Sequence, residues 1–229
     1  MFNRQWLSEQ IAGYLKDDTL GPHLDTFIDI AAKRVSQVLE CWEMEQEIVN
    51  TIQISGRTSV DGGNATGGGG GLVLDGGDAF KADDITPPGN YLTLPEGTRR
   101  VLGVQVLSNG IYRNLRSVGR HEANAYKGTG SPVYYYVEGK QIRPLPVRDG
   151  TYKAQILREV VIPAGTNEVD ALNAYPFVFL NAALSEAYDW KQNEAMALRY
   201  EQKWLNEANE IAGNYRNARG GEVLEVRSI

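Results

Sequence analysis

From Tyr175 to about Asn217 the chain offers some forty residues with one glycine, Gly213, and no proline after Pro176. Proline suits the first turn of a helix, where its missing N–H has no partner to lose. Phe177, Leu180, Leu184 and Tyr188 recur at three- and four-residue intervals, and so do Ala197, Tyr200, Trp204, Ala208, Ile211 and Tyr215. That period predicts one long helix, or two in succession breaking near Lys191–Asn193, with one face buried. Gly220-Gly221 ends it. A helical region of this length needs an apolar partner surface. Leu7, Ile11, Tyr14 and Leu15 predict a short amphipathic helix, and Leu24, Ile28, Ala31, Val35, Val38 and Trp42 a second one after Gly21-Pro22. The two chain ends are therefore expected to pack as one helical bundle, residues 1–48 with 168–219.

Between them the period changes from 3.6 to 2. Leu102, Val104 and Val106 alternate with Gly103 and Gln105, and Asn109-Gly110 then accepts the positive φ angles of a type I′ turn. Arg99–Leu107 and Ile111–Val118 read as a hairpin, and Val133–Val137 with Gln141–Arg143 as another. Asp149-Gly150 turns into a last strand in which Tyr152, Ala154 and Ile156 alternate with polar residues. The fold class is α+β: a helical bundle from both chain ends with an inserted small antiparallel β-sandwich or barrel domain at 49–167.

Residues 55–90 fit neither pattern. They hold Asp61-Gly62-Gly63, five glycines from Gly67 to Gly71, Asp75-Gly76-Gly77-Asp78 and Pro87-Pro88-Gly89. Glycine at this density makes ordering costly in entropy, and a loop of this length is usually functional or disordered. Leu72, Val73, Leu74 and Phe80 are too apolar for an inert linker, so the segment is expected to be an arm that orders against a neighbour. Residues 220–229 alternate apolar and polar side chains and read as an extended tail able to pair with a partner's edge.

Chemistry is sparse. No Gly-Lys-Ser/Thr opens a helix after the glycine run, so a nucleotide loop is not expected. Asp61, Asp75, Asp78, Asp83 and Asp84 match neither the EF-hand nor the β-roll spacing for calcium. His23, His121 and the lone Cys41 do not cluster as a metal site would require. Cys41 has no basic neighbour to activate it and reads as a small buried residue beside a core Trp42. Plentiful carboxylates single out no acid pair. No catalytic residue, cofactor or metal is expected, and the chain reads as a non-enzyme. Its net charge of −6 argues against bulk attraction to nucleic acid. The N-terminus lacks a signal-peptide core and no apolar run approaches a membrane span, so use in solution is expected.

The order of the segments resembles the adaptor, or head-to-tail connector, proteins of tailed bacteriophages. The resemblance lies in Ile11–Leu20, in Phe27–Val35 running to Glu45, in Tyr91–Val101 with its Leu94-Pro95, in Tyr134–Pro146, and in Tyr175-Pro176 through Ala187. It implies a virion structural protein at the head–tail neck, assembled in the host cytoplasm, whose copies form a dodecameric ring between portal and tail. DNA would pass through without being read, and the next tail component (nozzle, stopper or tail tube) would lie below. On that resemblance Arg216, Arg219, Val223, Leu224, Val226 and Ile229 are the expected portal contacts. Residues 55–90 depart from the family's usual pattern, and it is their own apolar character that makes Leu72, Val73, Leu74 and Phe80 the arm's expected contacts with tail or neighbour. The rival expectation is a carbohydrate- or protein-binding module of a phage particle, capsid-surface or fibre-associated, with Tyr134 and Tyr136 on one strand face as its platform.

Overall fold

The computed structural model describes residues 2–16, 18–52, 91–126, 128, 130–165 and 167–219. The expected arm, with Leu72, Val73, Leu74 and Phe80, and the expected tail from Gly220 onward lie outside the described residues. The chain divides into two compact units, Met1–Ile48 with Pro95–Gly103 and Ala154–Ile229, and Val49–Leu94 with Val104–Lys153.

The first unit carries the five described α-helices, together with strand residues at 45–48, 98–103 and 154–158. Helix α1 (Arg4–Leu15) opens on Asn3, whose side chain accepts from the Trp6 N–H at 2.9 Å, so one of the unpaired first-turn donors is satisfied. It closes on Lys16 in the left-handed conformation. Helix α2 (Leu24–Val38) follows a 3-10 turn containing Pro22, and α3 (Asp170–Ala174) is a short turn before the long helices. Helix α4 (Pro176–Trp190) begins at the proline, and α5 (Glu194–Ala218) begins after Asn193, which caps the Met196 N–H. The break between them falls where the polar run Lys191–Asn193 predicts, with Gln192 at φ 57°.

One buried cluster joins Leu7, Ile11 and Leu15 of α1 with Ile28, Ala31 and Val35 of α2, Phe179 and Ala183 of α4, and Trp204 and Ala208 of α5. Each large apolar side chain buried this way contributes roughly 1.5–3 kcal/mol. Helix α4 is covered on most sides, because α1, α2 and α5 all pack on it. That explains one departure from expectation. With apolar residues nearly all round α4, the 3–4 spacing does not single out its outer side, and Phe177 is 58 % exposed beside Trp6. Tyr14 likewise faces outward. Trp42 is not a core residue continuing α2: the helix ends at Val38, Leu39, Cys41 and Met44 turn inward, and Trp42 is 51 % exposed. Buried Ser36 is satisfied by Val160, whose N–H it accepts at 2.8 Å.

The strands are β1 (Glu45–Ile52), β2 (Leu92–Thr93), β3 (Thr98–Ser108), β4 (Ile111–Ser117), β5 (Tyr134–Glu138), β6 (Gln141–Leu145) and β7 (Gly150–Arg158). They form a seven-stranded, barrel-like sheet in the order β1-β7-β3-β4-β5-β6-β2, so the chain is α+β. Asn109 and Gly110 adopt φ 52° and 77°, and the β3–β4 hairpin closes on them with Ser108 opposite Ile111. In the second unit Val104, Val106, Leu115, Tyr135, Ile142 and Tyr152 are buried in alternation with outward residues.

The sheet is not wholly antiparallel. Strands β4 and β5 run parallel, with Arg116 beside Tyr134. Parallel neighbours need a crossover rather than a tight turn. The stretch 118–133 supplies it, with a 3-10 turn at Ala123–Tyr126 that packs Tyr126 on Tyr134 at 4.1 Å. Strand β1 starts at Glu45, directly after the 3-10 turn Trp42–Met44.

Candidate functional site

The described candidate residues that carry charge, Arg216 and Arg219, lie in the last turn and C-cap of α5, and the first unit builds a site around them. Its other half is the segment after α2. Carbonyls at the end of that helix lack intrahelical donors. Arg99, at the start of β3, donates to two of them, Leu39 O at 2.9 Å and Gln37 O at 2.7 Å. Burial pushes its pKa down from the usual arginine value. The chain then runs through Glu40 and Glu45, both facing arginines. Glu40 Oε2 accepts from Arg100 at 2.9 Å and from Arg216 at 3.0 Å.

Glu45 is bound more closely. Its Oε1 accepts from the Tyr215 hydroxyl at 2.7 Å and from Arg219 Nε at 2.8 Å, while Oε2 accepts from Arg219 Nη2 at 2.7 Å. Such a two-pronged pair fixes orientation as well as energy. The Arg219 guanidinium also lies 5.5 Å from the Trp42 ring and 5.7 Å from that of Tyr215, and the two rings meet edge to face at 4.9 Å. Glu45 raises the Arg219 pKa, whereas burial first and the Glu45 hydrogen bond second raise that of Tyr215.

This clamp holds the last turn of α5. Its carboxylates and guanidiniums are paired with one another. Arg216 and Arg219 are thus brought together with Glu40, Glu45, Trp42 and Tyr215. The other expected portal contacts, Val223, Leu224, Val226 and Ile229, lie outside the described residues. Sequence alone did not name Glu45 as a site residue, and it placed Trp42 in the core. They stand some 170 positions from their partners, and carboxylate–arginine pairs across such a distance have no characteristic spacing.

Elsewhere, Tyr134 and Tyr136 share one face of β5, and Tyr135 is buried on the other. His23 lies tilted against Trp190, with ring centroids 4.9 Å apart. Cys41 is buried, and its thiol is pushed up to about 12 by burial and then by Glu43. The candidate calcium aspartates and the glycine run lie outside the described residues. Among the described residues no three His, Cys, Asp or Glu side chains gather as metal ligands, and no helix is long and apolar enough to cross a membrane.

No curated protein matches the chain. A family model described as SU10 adaptor protein does, over residues 3–225. A match of that extent takes in both helical ends and every strand between them, and on it the chain belongs to the SU10 adaptor protein family.

Proposed function

We propose that the chain is the head-to-tail adaptor of a phage particle, a non-enzymatic protein whose copies close into a dodecameric ring between the portal and the tail. The observation that carries this is the family match over residues 3–225, which makes the chain a phage structural adaptor. The helices of the two chain ends act as the bundle domain, 1–48 with 168–219, and 49–167 act as an inserted β domain. The ring lies at the neck of the virion, assembled in the host cytoplasm, and DNA passes through its channel unread. A chain of net charge −6 suits such a wall, since cationic walls would hold phosphates.

In this role residues 220–229 reach the portal through Val223, Leu224, Val226 and Ile229. Arg216 and Arg219 set the root from which they leave. The arm, through Leu72, Val73, Leu74 and Phe80, touches a neighbouring copy or the downstream tail component. The clamp supports the role of the tail, because a segment leaving a fixed helix end loses less entropy on docking than one leaving a frayed end. Deleting Gly220–Ile229 tests this. The truncated chain keeps its circular dichroism and melting temperature but no longer docks on the purified portal. Normal docking by the truncated chain refutes the assignment.

A further inference from the structure

The register of the sheet sets tyrosines and cations side by side on one face of the second unit. Leu107 lies opposite Tyr112, Arg116 beside Tyr134, and Tyr136 opposite Arg143. Residues paired in this way point to the same side, and the opposite side holds the buried Leu115, Tyr135 and Ile142. Lys153 Nζ sits 5.2 Å from the centre of the Tyr112 ring, so β7 adds a cation to the same face. The carboxylate that β5 contributes there, Glu138, is already held by Arg120 at 2.9 Å and lies 3.6 Å from Arg143.

The charge of this region is opposite to that of the chain. Val104–Lys153 contains eight Lys and Arg against three Asp and Glu. The whole chain has 23 and 29, which leaves 15 against 26 everywhere else. A cationic face on an otherwise anionic chain is complementary to another copy of that chain. Its side chains, Tyr and Arg above all, are the types enriched where proteins meet. Nucleic acid is the less suited occupant. Base stacking needs open ring faces, whereas Tyr112 carries Lys153, Tyr134 packs on Tyr126, and Tyr91 lies under Arg143 at 5.7 Å.

We infer that this face, centred on Arg116 and flanked by Lys153 and Arg143, binds an acidic stretch of a second copy of the chain. The inference rests on the ring proposed above, in which each copy meets the next head to tail and so presents two different surfaces. Because they differ, a copy with a ruined face still offers its acidic stretch to one neighbour but accepts none.

The test uses the full chain carrying Arg116→Glu, Arg143→Glu and Lys153→Glu together, and Arg116→Glu alone as a milder variant at an exposed position. Sedimentation velocity and native mass spectrometry measure assembly with and without the portal, at low and high salt. The wild-type chain assembles, and salt weakens it. The triple variant's apparent dissociation constant rises at least ~10-fold, Arg116→Glu falls between, and either variant mixed into wild type cuts assemblies short. Should the triple variant fail to fold, Arg116→Glu decides the matter alone. Rings from either folded variant at wild-type concentrations refute the face while leaving the ring intact. A wild-type chain that stays monomeric with portal present refutes the ring and this contact together. Duplex DNA binding that the variants lose, with assembly unchanged, makes the face a nucleic-acid surface and also overturns the inference.

Discussion

Replacing Glu45 with Ala removes three hydrogen bonds at once, from the Tyr215 hydroxyl and from two nitrogens of Arg219. It leaves a guanidinium and a phenol facing a void. The Arg219 and Glu45 side chains are 19 % and 18 % exposed. The pair is therefore wetter than a fully buried one, where losing a partner costs about 3–5 kcal/mol. It is drier than an exposed pair, worth about 0–1 kcal/mol. The expected loss is ~2–3 kcal/mol, or roughly 4–12 °C in melting temperature for a chain of this size. Urea unfolding followed by tryptophan fluorescence measures it, and Trp42, stacked on Arg219, reports on the clamp itself. A double-mutant cycle with Arg219→Ala gives a coupling of at least ~1 kcal/mol. The alkaline limb responds too. Because the folded-state pKa of Tyr215 is raised from 10.0, its contribution is complete below pH 10 and is lost as pH rises above it. Removing Glu45 lessens that rise, so the variant loses less stability between neutral and strongly alkaline pH. A stability loss under ~0.5 kcal/mol, or a coupling near zero, refutes the clamp.

Two further outcomes follow from the core. Trp204 is 2 % exposed, with the Arg34 guanidinium 5.5 Å from its ring and Arg34 held in turn by Glu186 and Glu201, so Trp204→Ala costs about 3–5 kcal/mol by denaturant titration. The Cys41 thiol, pushed up from 9.0 to about 12 by burial, stays inert to iodoacetamide at pH 8 in the folded chain and reacts readily in urea. Its raised pKa adds stability that is whole below pH 9 and lost between pH 9 and 12.

Local signals carried much of the fold. Asn109-Gly110 marks its own turn because few other pairs accept two positive φ angles in succession, and both are observed there. Pro176 and the polar run Lys191–Asn193 place the start of α4 and the break after it for similarly local reasons. Failures came where partners are distant. Trp42 keeps the helical spacing of Leu24 to Val38, yet the chain turns at Leu39, and only Arg219 and Tyr215 explain where the indole goes. The parallel pairing of β4 with β5 depends on how the crossover 118–133 returns, which periodicity within a strand does not encode. The site shows the same division. Arg216 and Arg219 came from the family resemblance, while Glu40 and Glu45, which orient them, are visible only when the far end of the sequence is brought alongside.

Electron microscopy of the purified chain, alone and mixed with the portal protein of the same phage, tests the ring most directly. A ring in either sample, with a central channel wide enough for duplex DNA, is the predicted result. A chain that remains monomeric and leaves the portal bare contradicts it.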